Sequence, residues 1–181
     1  MFPDAQVNIA TKCVTYLSFD VFGELYSLGY QELKPILKSN PLLEYAASHW
    51  GHHAHGNVED IVKETVVQLL QKKQNIAFAI QVLLSRSDFF RGDYRLMFKG
   101  QFSVMHLLSY FGLEKMICHQ LENGAEADSK DKHRRSPLSF AARYEHQSVV
   151  KLLLTRDDIE VNLKDARHRH CRGPLLMGMS R

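Results

Sequence analysis

Four histidines lie close together near the end of a predicted helix, and imidazole is a common ligand of metal ions. They are His49, His52, His53 and His55. Spacings of three and four residues can bring two imidazoles to one helix face, as a zinc site requires. No cysteine or carboxylate joins them at ligand spacing, since Glu44 lies a full turn or more away. We therefore favour a structural helix end with partly exposed histidines, and metal binding stays open as an alternative.

Other residues that could do chemistry have no partner at motif spacing. The sequence contains no G-x-S-x-G, no H-E-x-x-H, no paired carboxylates and no P-loop G-x-x-x-x-G-K-[ST]. Cys13 and Cys118 fall on predicted helices without a nearby His or Asp, so buried thiols are expected. These two cysteines and Cys171 are scattered, which fits a reducing compartment. The sequence predicts a non-enzymatic protein without cofactor, metal or small-molecule substrate. A metal- or nucleotide-dependent enzyme remains the less favoured class.

The composition is that of an ordinary globular protein, with 45% hydrophobic and 24% charged residues. A net charge of +3 is too small to indicate nucleic acid or an anionic membrane. No stretch approaches the roughly 20 apolar residues of a membrane helix, and the N-terminus lacks a secretory signal. We expect an intracellular, cytoplasmic protein without membrane contact, and a nuclear location stays open.

Apolar residues in the first half follow the helical period. Residues 4–18 are predicted to form a helix, residues 20–31 a loop, and residues 31–38 a short helix limited by Pro35. Another helix begins at Pro41 and ends at Gly51 or Gly56. Asn57 is expected to cap the first of two further helices, whose stripes must pack on each other; residues 85–99 are predicted to form a loop. The two stripes contain Val58, Ile61, Val62, Val66, Leu69 and Leu70, then Ile76, Ala79, Ile80, Leu83 and Leu84.

The second half of the sequence repeats itself. Residues 103–117, SVMHLLSYFGLEKMI, align with residues 136–150, SPLSFAARYEHQSVV, at an offset of 33 that places His106 on Ser139 and Gly112 on Glu145. One inserted residue changes the offset to 34, which places Asp131 on Asp165. A period of about 33 with these blocks resembles the ankyrin repeat family. The sequence therefore predicts helical hairpins that stack side by side.

The resemblance to ankyrin repeats assigns structural roles to individual residues. Ser136-Pro137-Leu138 stands where the family has Thr-Pro-Leu, and His146 is the histidine of the turn between helices. His106 falls on the family's histidine that hydrogen-bonds backbone between repeats. The complete set of motif residues is His106, Gly112, Gly124, Asp131, Pro137, Leu138, Ala141, Ala142, His146 and Asp165.

Two departures from the family pattern predict backbone strain. Arg134 and Glu145 stand where ankyrin repeats have glycines, and a side chain held at positive φ costs on the order of 1 kcal/mol. After Asp165 the repeat pattern fades. About two full repeats and a start lie near the lower limit of roughly three for independent stability, so the preceding helix pair is expected to cap the stack.

The first half also carries a resemblance. The strings TKCVTYLSFDVF and NPLLEYAASHWGHHAHG, followed by a helix pair and ankyrin repeats, resemble the region after the nucleotide-binding and winged-helix domains of fungal NACHT–ankyrin receptors. The resemblance covers nearly the whole chain up to Asp165. In those NOD-like proteins a P-loop switch controls oligomerisation and the ankyrin repeats sense a partner. Because the P-loop is absent here, the resemblance implies the sensor end of such a receptor.

The ankyrin resemblance also predicts a partner-binding surface, made of hairpin tips and the exposed side of the first helix of each repeat. Aromatic and arginine side chains there have the composition of an interface hot spot, although a solvated charged surface is an equally valid interpretation. The expected partner is a protein with an acidic surface. Nucleic acid, through the string RHRHCR, is less favoured. The predicted partner-binding residues are Tyr110, Phe111, Lys132, His133, Arg135, Arg143, Tyr144 and Arg167, with Ala166 beside them.

These inferences predict an all-α, solenoid-like fold in three parts. Residues 1–56 form a helical region, residues 57–98 a capping helix pair with its loop, and residues 99–181 the ankyrin repeats. The predicted function is non-enzymatic protein recognition. A non-functional gene fragment and a metal-binding protein built on the histidine cluster are the alternatives.

Overall fold

The computed structural model describes residues 3–26, 28–86 and 102–161. Within these ranges the chain folds into ten helices and contains no strand, so the predicted all-α class is confirmed. The chain divides into two compact units, Met1–Lys99 and Gly100–Arg181. Most of the loop predicted at residues 85–99 lies outside the described residues, and the preceding helix continues to Arg86.

The first unit is a bundle in which α1 packs against α4 and α5, and α4 also packs against α3 and α6. The short α2 packs against α6. The periodic stripes of the sequence form the core, where Trp50 and Phe78 are the largest fully buried side chains. The helices are α1 (Pro3–Leu17), α2 (Asp20–Gly23), α3 (Tyr30–Ser39), α4 (Pro41–Ala54), α5 (Val58–Gln71) and α6 (Lys73–Arg86).

Three local details differ from the sequence-based expectation. Part of the predicted loop at 20–31 forms α2, and α3 continues through Pro35. Proline removes the donor to the carbonyl four residues earlier, but Gln31 and Pro35 are both exposed, so water can reach that carbonyl. Asn57 precedes α5 as predicted, yet its side chain makes no capping hydrogen bond.

Two side chains near the start of α6 secure the C-terminal end of α1. The buried Asn75 amide donates to the carbonyls of Leu17 and Phe19, at 2.9 and 2.8 Å. Lys72 Nζ donates to the Ser18 carbonyl at 2.8 Å and pairs with Asp20 at 2.7 Å. Because the last carbonyls of a helix have no partner within the helix, the Asn75 bond satisfies the Leu17 carbonyl, which burial would otherwise leave unpaired.

The second unit contains two helical hairpins, at the positions of the two sequence repeats. The first hairpin consists of α7 (Val104–Phe111) and α8 (Glu114–Glu122), and the second of α9 (Pro137–Arg143) and α10 (Gln147–Leu154). The first helices α7 and α9 pack together, and the second helices α8 and α10 pack together. Ala141 and Ala142 are fully buried on α9, which packs against both α7 and α10, and their small side chains permit close approach of the helices.

The helix pair α5 and α6 packs on itself and on α1, α2 and α4 within the first unit. Val58, Val62, Val66 and Leu69 of the predicted stripe are buried, whereas Ile61 is 65% exposed. The proposed role of this pair as a cap for the repeats, and the three-part division at residues 56 and 98, stay predictions.

Candidate protein interface

A buried histidine joins the two repeats. The Nδ1 atom of His106 accepts from the Ser103 N–H at 3.1 Å, and its Nε2–H donates to the Arg135 carbonyl at 2.9 Å. The Ser103 hydroxyl lies 2.8 Å from Nδ1 and 2.9 Å from the Ser129 hydroxyl. Burial lowers the pKa of His106, which keeps the ring neutral with its proton on Nε2. The predicted structural role of His106 agrees with this geometry.

A second histidine makes the reciprocal connection. His146, which precedes α10 in the second repeat, donates from Nε2 to the Tyr110 carbonyl of the first repeat at 2.8 Å. Its ring packs against Gly112, which has a φ of 73° that favours glycine. Each repeat thus contributes one histidine to the backbone of the other, and the two bonds lie at opposite ends of α9.

The turn between the repeats closes on Asp131. Its Oδ1 accepts from the backbone N–H groups of His133 and Arg135, both at 2.8 Å. The Arg134 N–H donates to the Asp131 carbonyl at 2.8 Å, and the Asp131 N–H donates to the Arg135 carbonyl at 2.9 Å. We call the three residues at the tip of this turn, Lys132, His133 and Arg134, the basic tip. Its backbone is fixed by a buried carboxylate and by His106.

Arg135 does not belong to an exposed surface, so the exposed position on which its prediction as a partner-binding residue depended is wrong. It is 9% exposed, and its Nε donates to Asp131 Oδ2 at 2.6 Å while Nη2 completes the ion pair. The guanidinium lies over the ring of Phe140, 4.8 Å from its centroid. The side chain is therefore engaged inside the repeat, and Arg134 is the exposed arginine of this turn.

Arg134 and Glu145 adopt the strained conformation that the sequence predicts. Their φ values are 61° and 60°, in the left-handed region where glycine is the usual residue. Arg134 follows two turn residues, the arrangement in which a tight turn ends in a left-handed bulge residue. Glu145 occupies the equivalent strained position between α9 and α10. Both side chains are exposed.

Two tyrosines meet at the far end of α9. The rings of Tyr110 and Tyr144 pack edge to face with centroids 4.6 Å apart, and both residues are half-buried. Burial, and to a lesser extent the neighbouring Tyr144, raise the pKa of Tyr110, so its hydroxyl remains a neutral donor. Arg143 is exposed beside them at the C-terminal end of the helix. Aromatic surface next to a guanidinium is the composition of an interface hot spot.

The remaining predicted residues fall into three groups. Lys132 and His133 are half-buried in the basic tip. Phe111 is fully buried and packs edge to face on Tyr110 at 4.9 Å, so its assignment to an exposed surface is wrong. Arg167, Ala166 and Asp165 lie outside the described residues.

The structure therefore places the candidate residues at the two ends of α9. The basic tip precedes the helix, and Arg143 with the tyrosine pair ends it; seven helical residues separate these ends by about 10 Å. Sequence reasoning treated Arg134 only as a replacement for the family's turn glycine and assigned Arg135 to the partner surface instead. The spacing of Asp131 and Arg135 across a tight turn could have indicated that Arg135 is the paired one.

The histidine cluster of the first unit connects helices. His53 lies between the Gln6 side chain on α1, 2.6 Å from Nδ1, and the Tyr45 hydroxyl, 2.7 Å from Nε2. Tyr45 stacks on His49 at 4.6 Å, and burial together with His49 lowers the pKa of His53. Within residues 3–26, 28–86 and 102–161, no three His, Cys, Asp or Glu side chains are placed to share a metal ion.

In the part of the chain that the structure describes, no helix combines the length and hydropathy needed to cross a bilayer.

Comparison with known proteins bears on the repeats. The family model described as ankyrin repeat matches residues 133–166. Human Rabankyrin-5 is 33% identical over 61 residues, and mouse Rabankyrin-5 is 31% identical over 61 residues. Each alignment covers 34% of this chain and only 5% of the length of the relative. No solved structure matches the chain. The chain thus contains an ankyrin repeat within an all-α repeat fold.

Proposed function

We propose that the chain is a non-enzymatic protein-recognition module that binds an acidic partner along α9. The observation that carries this proposal is the half-exposed Tyr110–Tyr144 pair beside the exposed Arg143, on a backbone fixed by two hydrogen bonds between repeats. Ankyrin repeats mediate binding to protein partners, and the family match covers residues 133–166, which include Arg143 and Tyr144.

Rigidity of the platform supports binding through these residues. His146 holds the Tyr110 backbone, and His106 holds the turn that carries the basic tip. A surface that is already ordered loses little conformational entropy when a partner binds, so more of the contact energy contributes to affinity. Tyrosine and arginine also supply large contact area together with hydrogen-bond donors.

Charge supports an acidic partner. The ends of α9 carry the cations Lys132, Arg134 and Arg143. Two acids, Asp131 and Glu145, lie near them in the sequence. Asp131 is buried against Arg135, and Glu145 is exposed in the turn that follows the tyrosine pair. A surface with excess positive charge accelerates encounter with acidic proteins and disfavours basic ones. We therefore propose a partner segment that places carboxylates at both ends of α9.

The test is affinity capture from a cell lysate with the double variant R143A/Y144A, compared with the unsubstituted chain. Arg135 is left intact because its removal would unpair the buried Asp131. We expect loss of the specific partners with the double variant. The matched control is K151A, which removes an exposed cation from α10. Equal recovery of the same partners by R143A/Y144A and the unsubstituted chain would exclude this surface.

We also propose an origin for the chain as the ankyrin end of a NACHT–ankyrin receptor, acting in the cytoplasm. The support is the resemblance of TKCVTYLSFDVF and NPLLEYAASHWGHHAHG to the segment after the winged helix of fungal receptors, together with three scattered cysteines that fit a reducing compartment. Sequencing of the full transcript tests this origin as a truncated receptor that lacks the P-loop: receptor-type sequence without an in-frame P-loop is expected upstream. A fluorescent fusion tests the location.

A further inference from the structure

The strained residue at the basic tip is the observation that goes beyond the proposed surface. Arg134 is held at a φ of 61° although glycine would adopt this conformation without strain. The turn that imposes it is fixed by Asp131 Oδ1 and by the paired backbone of residues 131 and 135. Strained backbone conformations persist where the surrounding structure holds them in place, and they concentrate at functional sites.

Neighbouring cations are already engaged. Arg135 pairs with Asp131, and Lys130 pairs with Asp128 at 2.5 Å. Among residues 3–26, 28–86 and 102–161, no carboxylate pairs with Arg134, which is exposed at the tip. Its guanidinium is therefore available to a negatively charged group of a partner.

We infer that Arg134 is the residue that selects a carboxylate of the acidic partner segment, an inference that rests on the proposed function. A guanidinium binds a carboxylate through two parallel hydrogen bonds, which a glycine or a lysine cannot reproduce. Nucleic acid would require a run of cations facing several phosphates. The basic tip supplies two such cations, Lys132 and Arg134, which is a short set for that purpose.

Glu145 supplies a matched reference for the strain. It has the same backbone conformation, with a φ of 60°, in the turn between α9 and α10, but the opposite charge. The variants R134G and E145G therefore relieve the same strain, and both are expected to raise the melting temperature by a few degrees. Only R134G removes the proposed contact.

The experiment selects ligands from a displayed library of random short peptides with the full chain, R134G, R134K, E145G and R143A/Y144A as separate baits. The unsubstituted chain and E145G are expected to enrich peptides with an acidic residue at a fixed distance from an aromatic or aliphatic one. R134G is expected to lose the preference for an acid at one position and to bind the enriched peptides at least fivefold more weakly. R134K is expected to fall between the two.

The outcomes separate this inference from the proposed function. If R134G enriches peptides with the same acidic position as the unsubstituted chain, the role of Arg134 is overturned. Loss of binding by R143A/Y144A in that case still supports the proposed surface. No enrichment by the unsubstituted chain, or identical enrichment by R143A/Y144A, overturns the proposed function and this inference with it. A lower melting temperature for R134G overturns the strain argument. Tighter binding of single-stranded RNA than of the selected peptides overturns the choice of a protein carboxylate.

Discussion

The ring of His146 occupies the space in which any side chain at Gly112 would begin. A β-carbon built on Gly112 would lie 2.6 Å from Cγ of His146 and 2.8 Å from Cε1, closer than carbon atoms approach without displacement. The same histidine donates to the Tyr110 carbonyl at 2.8 Å. One glycine therefore permits the hydrogen bond that fixes the second repeat to the first.

Substitution G112A should lower the free energy of unfolding by about 2–4 kcal/mol, because it combines positive-φ strain with overlap at the His146 ring. The matched control is G124A, at a φ of 80° with no atom within 4 Å of the added carbon. It should cost only about 1 kcal/mol. Urea denaturation of both variants measures the difference. Equal losses would show that His146 moves aside without cost.

The neutral His106 makes stability depend on pH. Its pKa in the folded state lies below the ordinary value of 6.5 because the ring is buried, so the unfolded chain takes up a proton first as pH falls. This contribution is fully present above about pH 6.5 and is lost as the pH falls towards the folded pKa. The free energy of unfolding should therefore fall as the pH decreases below about 6.5.

The variant H106Q isolates the share of His106 in that pH dependence. It cannot be protonated, so its stability should change less over the same interval than that of the unsubstituted chain, although its absolute stability is lower. His53 titrates in both proteins and therefore cancels in the comparison. Parallel pH profiles for the two proteins would contradict the role assigned to His106.

The buried pair of Asp131 and Arg135 should be strongly coupled. D131A removes the acceptor of two backbone N–H groups and the carboxylate that pairs with the buried guanidinium, which should cost about 3–5 kcal/mol. The double variant D131A/R135M should cost less than the sum of the single changes. D158A, which breaks the exposed pair with Arg156, is the control and should have no measurable effect. Strict additivity for Asp131 and Arg135 would argue against the pair.

In the first unit, N75A should destabilise the chain by about 2 kcal/mol, since the Leu17 carbonyl loses its Asn75 donor in a buried setting and the Phe19 carbonyl loses one of its donors. K72A removes an exposed interaction with the same segment and should have a smaller effect. Thermal unfolding followed by circular dichroism compares the two variants. A larger loss of stability for K72A than for N75A would mean that the Asn75 amide is not the main interaction that holds the end of α1.

Much of the fold could be predicted from local pattern. The helical period of residues 4–18 predicted α1, and Pro41 marked the start of α4. The ankyrin resemblance placed Arg134 and Glu145 where the family has glycines and so predicted a left-handed conformation for both, which the structure confirms. These features depend on neighbours a few residues away or on a motif with a fixed internal geometry, so the order of residues contains them.

The candidate surface was predictable only in outline. Arg143 and Tyr144 lie where the repeat pattern placed them, but Arg135 and Phe111 are buried and Arg134 is exposed instead. The order of residues in a short turn does not reveal which of two adjacent arginine side chains faces a buried carboxylate. Arg135 is buried because its side chain pairs with Asp131 and its carbonyl accepts from His106, which lies 29 residues before it.

The sequence by itself determined that the chain is helical and that its second half repeats. It also determined that Arg134 and Glu145, which stand where ankyrin repeats have glycine, are strained. Only the tertiary structure decided which side chains remain available to a partner and which bind other parts of the chain. The physical reason is that helical periodicity and turn geometry are local properties. Burial and pairing, in contrast, depend on helices brought together from distant positions in the chain.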